Sequence, residues 1–254
     1  MPSPRDIVDL MERIRCISSD DERNDLITTL AEPAKPTILS FINAHAVNLC
    51  WNSSDVLAWF RASDVLLRDG VGLKKAFDVL GFEPGLNMNG TDFIPLLLRA
   101  LPKRRLALYG TQHPWLERAR THLESTTPHE IIDVQHGFHP VERYVEHARQ
   151  HRPDVILLAM GMPRQEQVAV ALGAALEYPA LIINGGAIID FMAKRFERAP
   201  PVIQRLGLEW LYRVAQEPRR LFRRYFVGGV SFARIVLSLR RAVSRSSGAQ
   251  AQGV

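Results

Sequence analysis

Apolar positions along this chain follow two periodicities in turn. Ile7, Leu10, Met11 and Ile14 recur at helical spacing and predict a helical lead-in over residues 1–35, punctuated by Pro33 and Pro36. Beyond it, short β-rich runs predict strands at 37–42, 64–67, 106–109, 131–134, 155–159 and 181–183, each followed by a helical stretch. The runs are apolar throughout, as strands covered on both faces are. Strand and helix in alternation predict an α/β fold: a Rossmann-like, mostly parallel sheet with helices on both faces, over residues 36–201. After Pro200 and Pro201 the pattern changes to arginine-rich helices over 202–245, carrying Trp, Tyr, Phe and Leu. Residues 246–254 read as a disordered tail.

Small and polar residues gather where the strands end. Asn43-Ala44-His45 follows the first strand, Asp69-Gly70-Val71-Gly72 the second and Gly110-Thr111 the third. Gly161-Met162-Pro163-Arg164-Gln165-Glu166 follows the fifth, and Asn184-Gly185-Gly186 the sixth. Ligands of open α/β sheets bind outside the carboxyl ends of the strands, so these turns predict a site at that edge. Two readings fit Asp69. It is a general base beside glycines that let a ligand approach closely, or it is the N-cap of the next helix. Asn89-Gly90-Thr91-Asp92 is open in the same way: Thr91 or Asp92 caps a helix, or the loop touches a sugar or acceptor. Pro163 suits a first helical turn, whose free N–H groups favour an anion, and Gln165 is a candidate to bond a base or sugar.

Composition narrows the class. A chain of 254 residues holds one α/β domain with an appendage, or two small domains. Hydrophobic content of 46% and charged content of 23% are ordinary for a globular protein. Cys16 and Cys50 make no disulfide framework, which points to a reducing compartment, and Cys50 beside Trp51 reads as a packed thiol. The first stretch is acidic and lacks a long apolar core, so no secretory signal is expected. No apolar run reaches the roughly 18–20 residues a spanning helix needs.

Charge is unevenly placed. Residues 205–245 hold ten arginines against Glu209 and Glu217, a net +8, and since the whole chain is +5 the remainder is −3. Such a segment attracts an anionic partner: phosphate, acidic lipid or nucleic acid. Phe232, Ile235, Val236 and Leu239 form one helical face near Arg234, Arg240, Arg241 and Arg245. The leading reading is an interfacial helix on an anionic membrane, where each basic residue contributes about 1 kcal/mol. A helix packed on the domain and a nucleic-acid surface are the alternatives.

Several chemistries lack their motifs. Neither G-x-G-x-x-G nor G-x-x-x-x-G-K-[ST] occurs, which disfavours a nucleotide-dependent oxidoreductase, and G-x-S-x-G is absent too. No D-x-D is present to hold a nucleotide diphosphate through a metal. Arginines at 219, 220, 223 and 224 are the substitute, because a guanidinium binds phosphate oxygens bidentately. His136 and His139 form an H-x-x-H without further ligands at metal spacing, and read as surface or turn histidines. Neither a metal site nor a cofactor is expected.

Taken in order, these motifs resemble the WecG/TagA/CpsF glycosyltransferases (glycosyltransferase family 26) over about residues 37–227. The stretches that carry the resemblance are Ile42-Asn43-Ala44-His45, Asp69-Gly70-Val71-Gly72, Gly90-Thr91-Asp92 and Gly161-Met162-Pro163-Arg164-Gln165-Glu166. Further along come Asn184-Gly185-Gly186-Ala187 with Asp190-Phe191, then Arg198-Ala199-Pro200. Gly207-Leu208-Glu209-Trp210-Leu211-Tyr212-Arg213 with Glu217-Pro218-Arg219-Arg220 ends the series and is the most diagnostic stretch. The resemblance implies a peripheral, inverting transferase at the cytoplasmic face of the inner membrane. It would move a hexose from a UDP-sugar to a polyprenyl-diphosphate-linked acceptor during synthesis of an exopolysaccharide or other surface polymer. It implies Asp69 as the base, and Arg213, Arg219, Arg220 and Arg224 as the groups closing over the diphosphate. Asn43, His45, Gly70, Gly72, Asn89, Gly90, Asp92, Gly110, Gly161, Pro163, Gln165, Glu166, Asn184 and Gly185 would line the donor and acceptor pockets. Phe41 and Asn87 stand where family members usually carry Thr and Arg, which keeps glucose beside N-acetylmannosamine as the sugar. A homo-oligomer is compatible with the sequence. The rival class is a non-catalytic nucleic-acid or membrane-binding module using the basic helices.

Overall fold

The computed structural model describes residues 1–251, with the side chains of Arg220 and of residues 244–251 outside that description. Two helices, α1 (Pro4–Glu12) and α2 (Asp20–Ala31), precede the first strand. Strands and helices then alternate: β1 (Thr37–Ile42), α3 (Ala44–Asn52), α4 (Ser54–Arg61), β2 (Val65–Arg68), α5 (Val71–Leu80), α6 (Gly90–Ala100), β3 (Arg105–Gly110) and α7 (Trp115–Thr126). They continue with β4 (Glu130–Gln135), α8 (Val141–His151), β5 (Val155–Ala159), α9 (Arg164–Ala175), β6 (Leu181–Asn184) and α10 (Ile188–Met192). The appendage holds α11 (Pro201–Arg205), α12 (Glu209–Gln216), α13 (Pro218–Phe222), a π-helical turn (Arg223–Val227) and α14 (Gly228–Ala251).

The six strands form one sheet in the order β2-β1-β6-β5-β3-β4, every pairing parallel. Alternate strand residues feed opposite faces. Leu39, Leu67, Leu106, Leu157 and Ile183 pack under α2, α6, α7 and α10. On the other face Ala107, Ile156, Leu158 and Ile182 meet α8 and α9, while Ile42 and Leu66 meet α1, α3, α4 and α5. The helices directly after β3 and β6 therefore lie on one face with α6, and those directly after β1, β2, β4 and β5 on the other. Chains that part to opposite faces leave crevices at the carboxyl edge, here on either side of β6 and on either side of β3.

All six expected strands are present, and four buried polar residues, Ser40, Arg68, Asp133 and Asn184, qualify their apolar character. Arg68 and Asp133 sit within strands at 3% and 8% exposure. Arg68 is tolerated because its guanidinium donates to the carbonyls of Pro84, Gly85 and Gly70.

The appendage departs from expectation at one point. Phe232, Ile235, Val236 and Leu239 do form one face of α14, but that face is buried against α1, α3 and α5. Asn48 of α3 fixes the start of the helix by donating to the Gly228 carbonyl at 2.8 Å. The face read as membrane-facing is thus part of the core, because the apolar surfaces of α1 and α3 already offer it a cover. The backbone of α14 is helical to Ala251, past the boundary expected at 245, and residues 252–254 of the expected tail lie outside the described residues. Among the described residues no helix is long and apolar enough to cross a membrane.

Candidate active site

Asp69 follows β2 directly, held by its backbone N–H to the Ile42 carbonyl of β1 at 2.8 Å. The helix after it, α5, is capped by Gly70 and receives no side-chain cap. The capping reading of Asp69 therefore falls, and its carboxylate is left for another partner. Asn43 Nδ2 donates to Asp69 Oδ2 at 3.2 Å, while Asn43 Oδ1 caps α3 by accepting from the amides of His45 and Ala46. Gly70 has φ of +86°, a conformation that side chains other than glycine rarely adopt, and its amide donates to Asn87 Oδ1 at 2.8 Å. Asn87, one of the two departures from the family pattern, thus fixes the turn beside Asp69.

Electrostatics around Asp69 are mixed. Burial pushes its carboxyl above the usual carboxylate range, opposed by the Asn43 amide and then by the Arg224 and Arg68 guanidiniums, with Asp92 adding to the rise. Burial also pushes His45 down to about 4, and the charge of Arg224 acts in the same direction. His45 is therefore a neutral imidazole near pH 7. Arg224, on the π-helical turn, is the appendage arginine within electrostatic reach of both groups, and its Nε is buried without a hydrogen-bond partner. A buried guanidinium N–H without a partner, within electrostatic reach of a carboxylate and a neutral imidazole, is an anion donor in waiting.

The far wall comes from α6 and the appendage. Asn89 is the N-cap of α6, accepting from the Asp92 amide at 3.0 Å, so the cap expected at Thr91 or Asp92 lies at Asn89. That frees the Asp92 side chain, which accepts from Asn89 Nδ2 and pairs with Arg198. Arg198 also reaches Glu209 of α12 at 3.8 Å, tying the appendage to the domain beside the site. Burial raises the Glu209 carboxyl, Arg198 opposes this, and Asp92 and Asp69 add to it. Phe41, the second departure, does not line the opening: it is buried, packs edge-on against Phe93 and lies beneath Gly90. Gly72 faces Ala44 where α5 and α3 approach.

The remaining expected residues act as braces. Gln165 and Glu166 are each 1% exposed and Asn184 is 2% exposed. Gln165 accepts from the Gly186 amide at 2.9 Å and donates to Glu166 at 2.8 Å, so it joins the turns after β5 and β6. Asn184 donates to Ser40 Oγ of β1, which pairs with the buried Ser63 ahead of β2. Gly110 is required by packing, since a Cβ there would meet the Ala159 carbonyl oxygen at 2.3 Å. Gly161 and Pro163 form the turn into α9, and the Gly185 amide bonds the Leu158 carbonyl. These side chains shape the carboxyl edge from behind. Arg213 is likewise engaged: its guanidinium lies 3.5 Å from the Phe196 ring centroid and 2.9 Å from Glu217. Arg219 is exposed, and the side chain of Arg220 lies outside the described residues. Spacing alone did not single out Arg198 and Glu209. Their roles depend on how α12 folds back toward α6.

Glu166 leads to a stability prediction. Burial raises its carboxyl from 4.5 to about 7, and its Oε2 has no hydrogen-bond partner. The folded chain holds this proton more tightly than the unfolded chain. Stability from this group is greatest below pH 4.5, falls as pH rises to about 7, and stays lower above that. Glu166→Gln is expected to flatten that decline and to raise the melting temperature at pH 8 relative to wild type. Thermal melts across pH 4–9 check this, and parallel curves for the two proteins would reject it. Cys50, buried nearby with its thiol pushed up to about 12, is the inert packed thiol expected.

Comparison with known proteins places this geometry in a family. The chain aligns with an N-acetylglucosaminyldiphosphoundecaprenol N-acetyl-beta-D-mannosaminyltransferase of Staphylococcus aureus strain MW2, at 22% identity over 85% of this chain and 82% of that protein. The enzymes of that name from strains NCTC 8325 / PS 47 and MRSA252 match at the same identity and coverage. The family model described as glycosyl transferase WecG/TagA/CpsF matches residues 8–246, so with its parallel sheet, its Asp69 turn and its appended helices the chain belongs to the WecG/TagA/CpsF family of glycosyltransferases.

Proposed function

We propose that this glycosyltransferase is an inverting enzyme that moves a hexose from a UDP-sugar to a polyprenyl-diphosphate-linked sugar. The transferred sugar is glucose, N-acetylmannosamine or a related hexose, and the product is an intermediate of an exopolysaccharide or other cell-surface polymer. The observation that carries this reading is the half-buried Asp69, which does not cap α5 and lies at the carboxyl edge of the sheet within electrostatic reach of Arg224. Asp69 takes the proton of the acceptor hydroxyl as its oxygen bonds to the anomeric carbon. The bond from that carbon to the UDP oxygen breaks on the opposite face, and UDP leaves with the electron pair. Burial raises the carboxyl toward working pH, which suits a general base. Arg224 stabilises the charge that grows on the diphosphate, the part a metal plays in transferases that hold one.

Peripheral docking at the cytoplasmic face of the inner membrane belongs to the same proposal. Supporting it is a face other than the one expected. Val230, Arg234, Leu237 and Arg241 form an exposed stripe along α14, and Phe222 and Phe226 stand exposed on the preceding turns. Apolar side chains beside arginines suit an anionic lipid surface.

The test is the purified full chain with a panel of UDP-sugars and a polyprenyl-diphosphate-N-acetylglucosamine acceptor. Transfer from one of them with inverted anomeric configuration is expected, and no transfer from any would reject the reading. In the same assay Arg224→Ala is expected to lower kcat about 100-fold, the cost of one lost transition-state donor. An unchanged kcat would remove Arg224 from the diphosphate site.

A further inference from the structure

Far from Asp69, the other end of the sheet carries a second cluster of chemistry. β4 is the edge strand opposite β2, five strand spacings or about 24 Å away across the sheet. Asp133 lies on β4 at 8% exposure, aimed toward α8. His147 and His151 stand one turn apart on α8, their rings stacked with centroids 5.8 Å apart. One ligand atom from each of Asp133, His147 and His151 lies within 4.8 Å of the other two.

We propose that Asp133, His147 and His151 form a zinc site that clips α8 onto the edge strand of the sheet. Two imidazoles and one carboxylate are the donor set of zinc or a similar transition ion, where magnesium and calcium prefer oxygen alone. Ligand atoms at 2.0–2.1 Å from a tetrahedral ion stand about 3.3 Å apart. His147 Nδ1 and Asp133 Oδ2 already meet that at 3.2 Å. His151 ends its helix and is half-buried, so its ring is free to close the rest by side-chain rotation. The carboxylate is oriented from behind: Asp133 Oδ2 accepts from Tyr109 Oη at 2.9 Å and Oδ1 from Gln135 Nε2 at 3.0 Å. Such outer partners are what orient metal ligands. The fourth position falls to water. Within the H-x-x-x-H of 147 and 151 the spacing alone puts both rings on one helix face; only the fold brings the carboxylate. His136 and His139, the pair the sequence offers first, stack on each other at 3.7 Å outside this cluster.

The experiment uses the full chain, free of any histidine tag and stripped with chelator, titrated with zinc and with cobalt. One equivalent of zinc per chain by calorimetry, visible absorption of four-coordinate cobalt and a rise in melting temperature are expected. His151→Ala is expected to weaken zinc binding at least about 100-fold, beyond the 10–100-fold cost of losing an outer partner, and Tyr109→Phe about 10-fold. His136→Ala is expected to leave binding unchanged. Circular dichroism verifies that His151→Ala folds, since its side chain holds no core position. Substoichiometric zinc, or binding that survives His151→Ala, would overturn the proposal and leave Tyr109, Asp133 and His147 as a hydrogen-bonded network alone. Neither result bears on the transfer reaction, which uses the opposite end of the sheet.

Discussion

Replacing Asp69 with Asn is expected to lower kcat about 10²–10⁴-fold while UDP binding stays near that of wild type. The substitution is nearly isosteric. An Asn at this position keeps an oxygen to accept from Asn43 Nδ2, and the backbone bond to Ile42 is untouched. What it removes is the ability to take a proton. The charge it deletes lies within reach of Arg224, so an effect confined to donor affinity would mean that Asp69 serves only to position that arginine. The pH profile separates the two roles. Because burial raises the Asp69 carboxyl, the acid limb of kcat/KM is expected above the usual aspartate range, and no such limb should remain in Asp69→Asn. Turnover near the wild-type rate would remove Asp69 from the base role.

The order of elements was legible because the strands are doubly buried and therefore apolar throughout, a pattern that survives without knowledge of tertiary contacts. The second strand was read one residue early, at 64–67 in place of Val65–Arg68. Its last residue is a buried arginine, and two of its three carbonyl partners, Pro84 and Gly85, lie on a loop that spacing cannot bring near. Asp69 was legible as a candidate but not as a choice between cap and base. The cap at Gly70 decided that, through a backbone conformation no local pattern marks. Gln165, Glu166 and Asn184 were read as pocket-lining because their motifs sit at strand ends. The structure places them as buried joints between those ends, and a motif cannot tell a joint from a contact. The rival reading as a non-catalytic binding module ends with membership of a transferase family. Of the arginines that suggested it, Arg213 pairs with Glu217, Arg224 lies within electrostatic reach of Asp69, and Arg234 and Arg241 stand in the exposed stripe.

The appendage was the hardest part to read, because one amphipathic face fits a membrane and a protein core equally well. Its two faces now carry opposite predictions. Leu239 is fully buried, and Phe232, Ile235 and Val236 beside it complete the cluster with α1, α3 and α5. Leu239→Ala is expected to destabilise the fold by about 2–5 kcal/mol, and deletion of residues 228–254 to leave no cooperative melt. Activity lost on such a deletion would say nothing about membranes. The exposed face gives the cleaner experiment: Phe222→Ser, Phe226→Ser, Val230→Ser and Leu237→Ser combined remove apolar surface that stands exposed among the described residues. That variant is expected to melt within a few degrees of wild type, since exposed positions cost little. It should lose most of its binding to vesicles containing phosphatidylglycerol, and turnover on a short-chain soluble acceptor should persist. If it binds those vesicles as well as wild type, the appendage is a structural part of the domain and another surface meets the membrane. If it also fails to fold, the stripe is covered in solution, and a second copy of the chain becomes the occupant to test by its concentration dependence.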